Sequence, residues 1–164
     1  MGPLSTPPEE TGGHQLLEGK VVVITAAAGT GIGSATARRA LLEGADVMIS
    51  DHHERRLDET REALAGLGSG RVESVLCDVT SSAQVDDLIS CTTARLGRMD
   101  VLVNNAGLGG NTPVIEMTDE EWDRVLNVTL TSVMRATRAA LGYFRDAGHG
   151  GAIVNNASVL GWRA

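Results

Sequence analysis

Residues Val21–Ala37, VVVITAAAGTGIGSATA, decide the fold. Five apolar or β-branched residues run into a tight Ala/Gly turn, and a helix-forming run follows. A short continuous apolar run of this kind suits a strand buried on both faces of a parallel sheet. The turn behind it is either a phosphate cradle or a compact corner between strand and helix.

The rest of the chain repeats the alternation. KVVVIT (20–25) is followed by a helical SATARRALLEG (34–44), with Ala37, Ala40 and Leu41 on one face and Gly44 as stop. ADVMIS (45–50) is the next strand and ERRLDETREALAGL (54–67) the next helix, apolar at Leu57, Ala63, Leu64 and Leu67 against a charged face. RVESVLC (71–77) and MDVLVNN (99–105) are strands around a helix whose Ser81 and Gln84 fit a capping box. A second box, TDEE (118–121), opens the longest helix, expected to run unbroken to about Arg145, and GAIVNNAS (151–158) is a fifth strand. Strands separated by helices of this length imply βαβ units with right-handed crossovers. The fold class is α/β, a doubly wound parallel sheet of Rossmann type.

At 164 residues and 42% apolar content the chain supports one domain with a sizeable core. Residues 17–164 form that domain, and the Pro-, Gly- and Glu-rich residues 1–16 read as a flexible arm without the pattern of a secretion signal. A net charge of −7 with no basic run argues against nucleic acid or an anionic membrane as partner. No apolar run approaches the ~18 residues a membrane span needs. A soluble, cytoplasmic protein with a small-molecule substrate is expected. Cys77 and Cys91 are too far apart for CxxC chemistry and read as small buried hydrophobes, and His14, His52, His53 and His149 show no metal-ligand spacing.

In a doubly wound sheet, ligands bind beyond the carboxyl ends of the strands where the strand order reverses. Gly29, Gly31 and Gly33 let the backbone approach a pyrophosphate, and the following helix offers free N–H groups and its positive dipole end. A GxG is weak evidence alone; the strand before, the helix after and an acid about 20 residues on strengthen it. That acid is Asp51, able to accept from an adenosine ribose and to repel a 2′-phosphate, or else a helix N-cap. It favours NAD, while Arg55 and Arg56 leave NADP possible.

Four motifs in this order, TAAAGTGIG (25–33), CDVT (77–80), NNAG (104–107) and IVNNASVLG (153–161), resemble the short-chain dehydrogenase/reductase family. The resemblance runs from about Leu17 to the last residue. It implies a nicotinamide dinucleotide bound by Thr25, Gly29, Thr30, Gly31, Ile32, Gly33 and Asp51. It adds Asp78 and Val79 at the adenine ring and Asn105, Ala106 and Gly107, behind Asn104, beside the cofactor. Ser158 matches the catalytic serine, which orients the oxygen of a secondary alcohol or ketone. DHHERRLDETR and NNASVLGWRA resemble an actinobacterial group of 3-oxoacyl reductases, some of which look similar to dehydrogenases acting on CoA-linked steroid-ring fragments. The resemblance implies that the full-length protein is a homo-oligomer through the long helix and the helix that follows it.

Three departures qualify the resemblance. The glycine motif is one residue longer than TGxxxGxG and carries Ala26 after its threonine. Thr129 stands where a supporting asparagine is usual, with Asn127 two residues away. The Tyr-x-x-x-Lys pair that follows the serine in the family has no counterpart here: Lys20 is the only lysine, and Tyr143 is followed four residues later by Ala147. Without such a lysine nothing lowers a tyrosine's pKa from about 10 toward the working pH. The chain is therefore expected to be catalytically incomplete, with its C-terminal strands missing. The alternatives are a non-catalytic nucleotide-binding module, or a fragment left unstable by an uncovered sheet edge.

Overall fold

Val21–Ile24 (β1) lies at the centre of a parallel five-stranded sheet, between Asp46–Asp51 (β2) and Val101–Asn104 (β4). Val72–Leu76 (β3) pairs outside β2 and Ala152–Asn155 (β5) outside β4, giving the order β3-β2-β1-β4-β5. The computed structural model describes residues 11–110 and 112–158. Gly161 and the rest of 159–164 lie outside the described residues, as do residues 1–10 of the expected arm.

Alternation along the strands sorts the core into two layers. Val21 and Val23 face Leu88 and Ile89 of Ser82–Leu96 (α3) and Ala136, Ala140 and Phe144 of Ser132–Asp146 (α5). Val22 and Ile24 face Ala37, Ala40 and Leu41 of Ile32–Leu42 (α1) and Leu57 and Leu64 of Glu54–Leu64 (α2). All four β1 residues are buried, as a strand covered on both sides must be. Each such side chain contributes about 1.5–3 kcal/mol by leaving water. The strand order reverses between β1 and β4, which places the crevice of a doubly wound sheet at the end of β1.

Helix boundaries differ from the expectation in three places. The first helix begins at Ile32, so Gly33 lies inside its first turn and Gly31 is its N-cap. The second ends at Leu64 because Ala65 turns extended and Gly66 and Gly68 follow with positive φ. Leu67 still packs on the core from outside the helix. The long helix is not continuous. Asp119–Leu126 (α4) passes through a π-helical turn, Asn127–Thr131, before α5. The Thr129 hydroxyl donates to the Val125 carbonyl at 2.6 Å and the Ser132 hydroxyl to Val128 at 2.6 Å. Hydroxyls of this kind compete for backbone acceptors and accompany irregular helix geometry.

Both capping boxes are half formed. Ser81 and Thr118 accept from the N–H groups of Gln84 and Glu121. The Gln84 amide oxygen accepts instead from the Asp78 N–H at 2.8 Å, and Glu121 from the Thr112 hydroxyl at 2.9 Å.

Within 11–16, the His14 and Leu16 N–H groups donate to the buried Glu43 carboxylate at 2.8 and 3.2 Å, and Arg39 pairs with it. The His14 N–H, aided by Leu16 and Arg39 against the cost of burial, holds the Glu43 carboxyl down to about 2. A depressed carboxyl contributes stability above its unfolded pKa of about 4.3 and loses it as pH falls through the folded value. Acidification from about pH 5 to about pH 2 is thus expected to release the segment around His14 and Leu16. Amide exchange reads this directly; protection of Leu16 that persists at the acid end would contradict it.

Candidate functional site

The end of β1 is built around Thr25, which is buried at 2% exposure. Its hydroxyl accepts from the N–H groups of Asn105 and Ala106 at 2.9 and 3.1 Å and lies 3.4 Å from the Val103 carbonyl. The Asn105 side-chain amide donates to the Thr25 and Ala26 carbonyls at 3.1 and 3.0 Å. Its oxygen accepts from Asn156 at 2.9 Å, and Asn104 donates to Asn155 at 2.9 Å. The glycine turn, NNAG and the segment leading to Ser158 are thereby stitched together at the carboxyl edge of the sheet.

Gly33 is packed into that stitching. A Cβ on it would meet the Ala26 carbonyl oxygen at 2.5 Å, Asn105 Nδ2 at 2.7 Å and Ala27 Cα at 2.9 Å. Glycine here brings α1 close to the strand end. Gly31 differs: it caps α1 without a side-chain hydrogen bond, and its missing Cβ would meet nothing within 4 Å. The first turn of α1 has N–H groups without intrahelical acceptors, in front of open space. This is a cradle a phosphate fits. Ala26 adopts φ +51°, where the related pattern carries glycine.

Asp51, at the end of β2, is 8% exposed. One carboxylate oxygen accepts from the Ala28 N–H at 3.2 Å; the other accepts from the His53 N–H at 3.1 Å and faces His52 Nδ1 at 3.3 Å. The N-cap of α2 is His53, so Asp51 braces both the helix entry and the glycine turn. A carboxylate offers about four lone-pair positions, so capacity for a ribose remains. Burial pushes the neighbouring His53 imidazole below its usual range, with His52 and Arg56 adding repulsion.

Asp78 accepts from the Thr80 hydroxyl at 2.7 Å and the Thr80 N–H at 2.8 Å, and these bonds hold its carboxyl below the ordinary range. It does not cap α3; Ser81 does. Burial raises the Cys77 thiol to about 12, which fits an inert core cysteine.

A cleft of about 300 Å³ joins these pieces. Ala26, Asp51, Asp78, Val79, Ala106 and Gly107 line it, five of them residues singled out from the sequence. His52, Leu108, Arg124 and Val128 line it too and were not expected. Ile32 is 66% exposed, with its side chain in a separate groove beside Val22 and Val101; only its backbone belongs to the turn. Ser158 is exposed beyond β5. Thr129 is committed to Val125, and Asn127 accepts from Arg135 at 2.8 Å, so neither side chain is held toward the cleft by the bonds it makes. Thr60, whose hydroxyl accepts from the Gly29 N–H at 2.8 Å, was invisible in the sequence, being one polar residue in a charged helix. The asparagine stitching did have a signal: NNA occurs twice, at 104–106 and 155–157, at the ends of adjacent strands.

Comparison with known proteins bears on the same region. Residues 20–164 match the family described as short chain dehydrogenase. Over 161 residues the chain is 78% identical to a Mycobacterium tuberculosis protein, (5R,7aS)-5-hydroxy-7a-methyl-1-oxo-2,3,5,6,7,7a-hexahydro-1H-indene-carboxyl-CoA reductase, covering 98% of this chain and 62% of that protein. It is 39% identical to a 3-oxoacyl-acyl-carrier-protein reductase of Thermotoga maritima, covering 88% of this chain and 58% of that one. A crystal structure of a short chain dehydrogenase from Mycobacterium smegmatis superposes with a TM-score of 0.93 at 77% identity, over 96% of this chain and 65% of that one. The chain thus spans about three-fifths of the length of these relatives.

Proposed function

The chain belongs to the short-chain dehydrogenase family, and on that footing we propose that it supplies the dinucleotide-binding half of an alcohol–ketone oxidoreductase preferring NAD. The observation that carries the reading is the open, uncapped start of α1 at Gly31, beside a cleft lined by Asp51 and Asp78. The backbone of Thr30–Gly33 would hold the pyrophosphate and Asp51 the adenosine ribose. Asp78 and Val79 would border the adenine, with Asn105, Ala106 and Gly107 beside the remainder. The nicotinamide, when bound, supplies hydride chemistry; this chain's residues bind it, orient it and exclude water. Asp51 also disfavours a 2′-phosphate through like-charge repulsion, which supports NAD over NADP.

Ser158 is proposed to hydrogen-bond the reacting oxygen of substrate. Among the described residues, neither Tyr143 nor Lys20 is placed to move the proton: Tyr143 accepts the Met99 N–H at 3.2 Å just before β4, and Lys20 precedes β1. The substrate is proposed to be a CoA-linked bicyclic ring fragment, supported by the 78% identity to a reductase of such a thioester. A 3-oxoacyl thioester is the second choice, supported by the Thermotoga relative. Met134 and Leu141 sit two turns apart, half-exposed, on α5 and support self-association through the long helix. A cytoplasmic site of action is proposed on the footing of the family; among the described residues no helix is long and apolar enough to cross a membrane.

The test is calorimetric titration of the 164-residue chain with NAD, with a secondary-alcohol assay and sedimentation on the same sample. Micromolar to low-millimolar binding without turnover, by a dimer, is the expected result. No binding would remove the dinucleotide reading, turnover would show that a proton donor had been overlooked, and a monomer would remove the helix interface.

A further inference from the structure

Three successive N–H groups of the glycine turn point at a single neighbour, the β2–α2 unit. The Ala27 N–H donates to the Ser50 carbonyl at 3.0 Å, Ala28 to the Asp51 carboxylate at 3.2 Å, and Gly29 to the Thr60 hydroxyl at 2.8 Å. Donors already committed in this way are not offered to a phosphate. The pyrophosphate-facing backbone therefore begins after Gly29, and the position of Gly29 sets where Thr30–Gly33 lie.

Thr60 is built for this contact. It sits on the buried face of α2 at 7% exposure, nine residues beyond Asp51 in sequence. Its hydroxyl proton goes to the Arg56 carbonyl at 2.7 Å, which turns the oxygen's lone pairs toward Gly29. One hydroxyl thus serves as donor within its own helix and acceptor for the turn, with no rotational freedom left to spend. Gly29 adopts φ +85° and carries no side chain to anchor it, so its one side-chain hydrogen bond, from its N–H to Thr60, fixes its place in the turn.

We infer that Thr60 is a positioning residue for dinucleotide binding, fixing the glycine turn from α2 so that ribose recognition at Asp51 and pyrophosphate recognition at Thr30–Gly33 stay in register. The inference rests on the proposed dinucleotide reading. It names a residue that never touches the ligand.

The experiment compares wild type with Thr60→Val and Thr60→Ser, titrated with NAD, ADP-ribose and adenosine. Thr60→Val keeps the shape but removes the acceptor and strands the Gly29 N–H. Its affinity for NAD and ADP-ribose is expected to fall about tenfold, the scale of one buried hydrogen bond. Adenosine, which carries the ribose but no phosphate, is expected to bind Thr60→Val as it binds wild type. Thr60→Ser restores the hydroxyl and is expected to lie within about twofold of wild type. Should the valine variant not fold, amide exchange in wild type reads the same point. Gly29 is expected to be protected before ligand is added and to gain nothing from NAD, while Gly31 and Gly33 gain protection. Unchanged NAD affinity in Thr60→Val, an equal loss for adenosine, or ligand-induced protection of Gly29 would each overturn the inference. Wild-type protein that does not bind NAD would instead overturn the proposed function, and this inference with it.

Discussion

Replacing Gly33 with alanine is expected to lower the melting temperature by about 6–12 °C and to abolish dinucleotide binding. The added methyl would sit 2.5 Å from the Ala26 oxygen and 2.7 Å from the Asn105 amide nitrogen. Neither obstacle is the loose end of a flexible side chain, because Asn105 is pinned by its own bonds to Thr25 and Ala26. Either α1 moves off the sheet or Asn105 gives up two hydrogen bonds. Overpacking costs about 1–3 kcal/mol, and each lost bond about 1 kcal/mol more. A total near 3 kcal/mol corresponds to the stated shift in melting temperature for a domain of this size. Gly31→Ala is the control. Its Cβ meets no protein atom within 4 Å, so stability should change by no more than about 1 kcal/mol, the cost of alanine at an N-cap. That methyl nevertheless stands in front of the α1 amides, and NAD affinity should fall at least tenfold. Equal thermal effects of the two alanines would contradict the packing role of Gly33. An unchanged NAD affinity in Gly31→Ala would contradict the cradle.

Asp51→Asn is expected to weaken NAD binding by roughly tenfold to a hundredfold, the worth of a hydrogen bond to a charged group. Its discrimination against NADP should largely disappear. Asparagine keeps an oxygen that can still accept from the Ala28 or the His53 N–H, bonds of 3.2 and 3.1 Å in the native site. The change therefore removes charge while disturbing the turn little. Parallel titrations with NAD and NADP check the ratio. A variant that still prefers NAD by the native margin would place the discrimination elsewhere, with His52, Asp78, Thr80 and Arg124 among the other polar cleft residues to examine.

What could be read from the sequence followed from burial. The five strands announce themselves because β-branched and apolar runs such as VVVI and VLV suit two covered faces. Their order was not deducible strand by strand, but alternation with helices implied a parallel doubly wound sheet, and the reversal between β1 and β4 follows that architecture. Asp51, Asp78, Val79, Ala106 and Gly107 meet in one cleft because each stands at or just beyond a strand's carboxyl end.

The features that escaped are of other kinds. The π turn at Asn127–Thr131 leaves the apolar pattern of the long helix almost intact, so periodicity does not report it. A cluster of Val125, Val128, Thr129 and Thr131 was the only hint, β-branched residues crowding one stretch. Thr60 escaped because its role depends on α2 docking beside the glycine turn, a distance of 31 residues in sequence. The half-formed capping boxes show a shorter-range limit: Ser81 and Thr118 cap as the pattern implies, whereas Gln84 and Glu121 pair with Asp78 and Thr112 in the loops that lead into their helices.

The most direct measurement is an amide-resolved NMR titration of the isotope-labelled chain with NAD. Saturable shifts concentrated at Gly31–Ser34, at Asp51–His53 and at Asp78–Thr80, with Gly29 nearly still, are the predicted result. Absence of shifts at millimolar NAD, or shifts confined to the groove beside Ile32 and Val101, would mean that the turn after β1 is a corner between strand and helix and not a cradle for a dinucleotide.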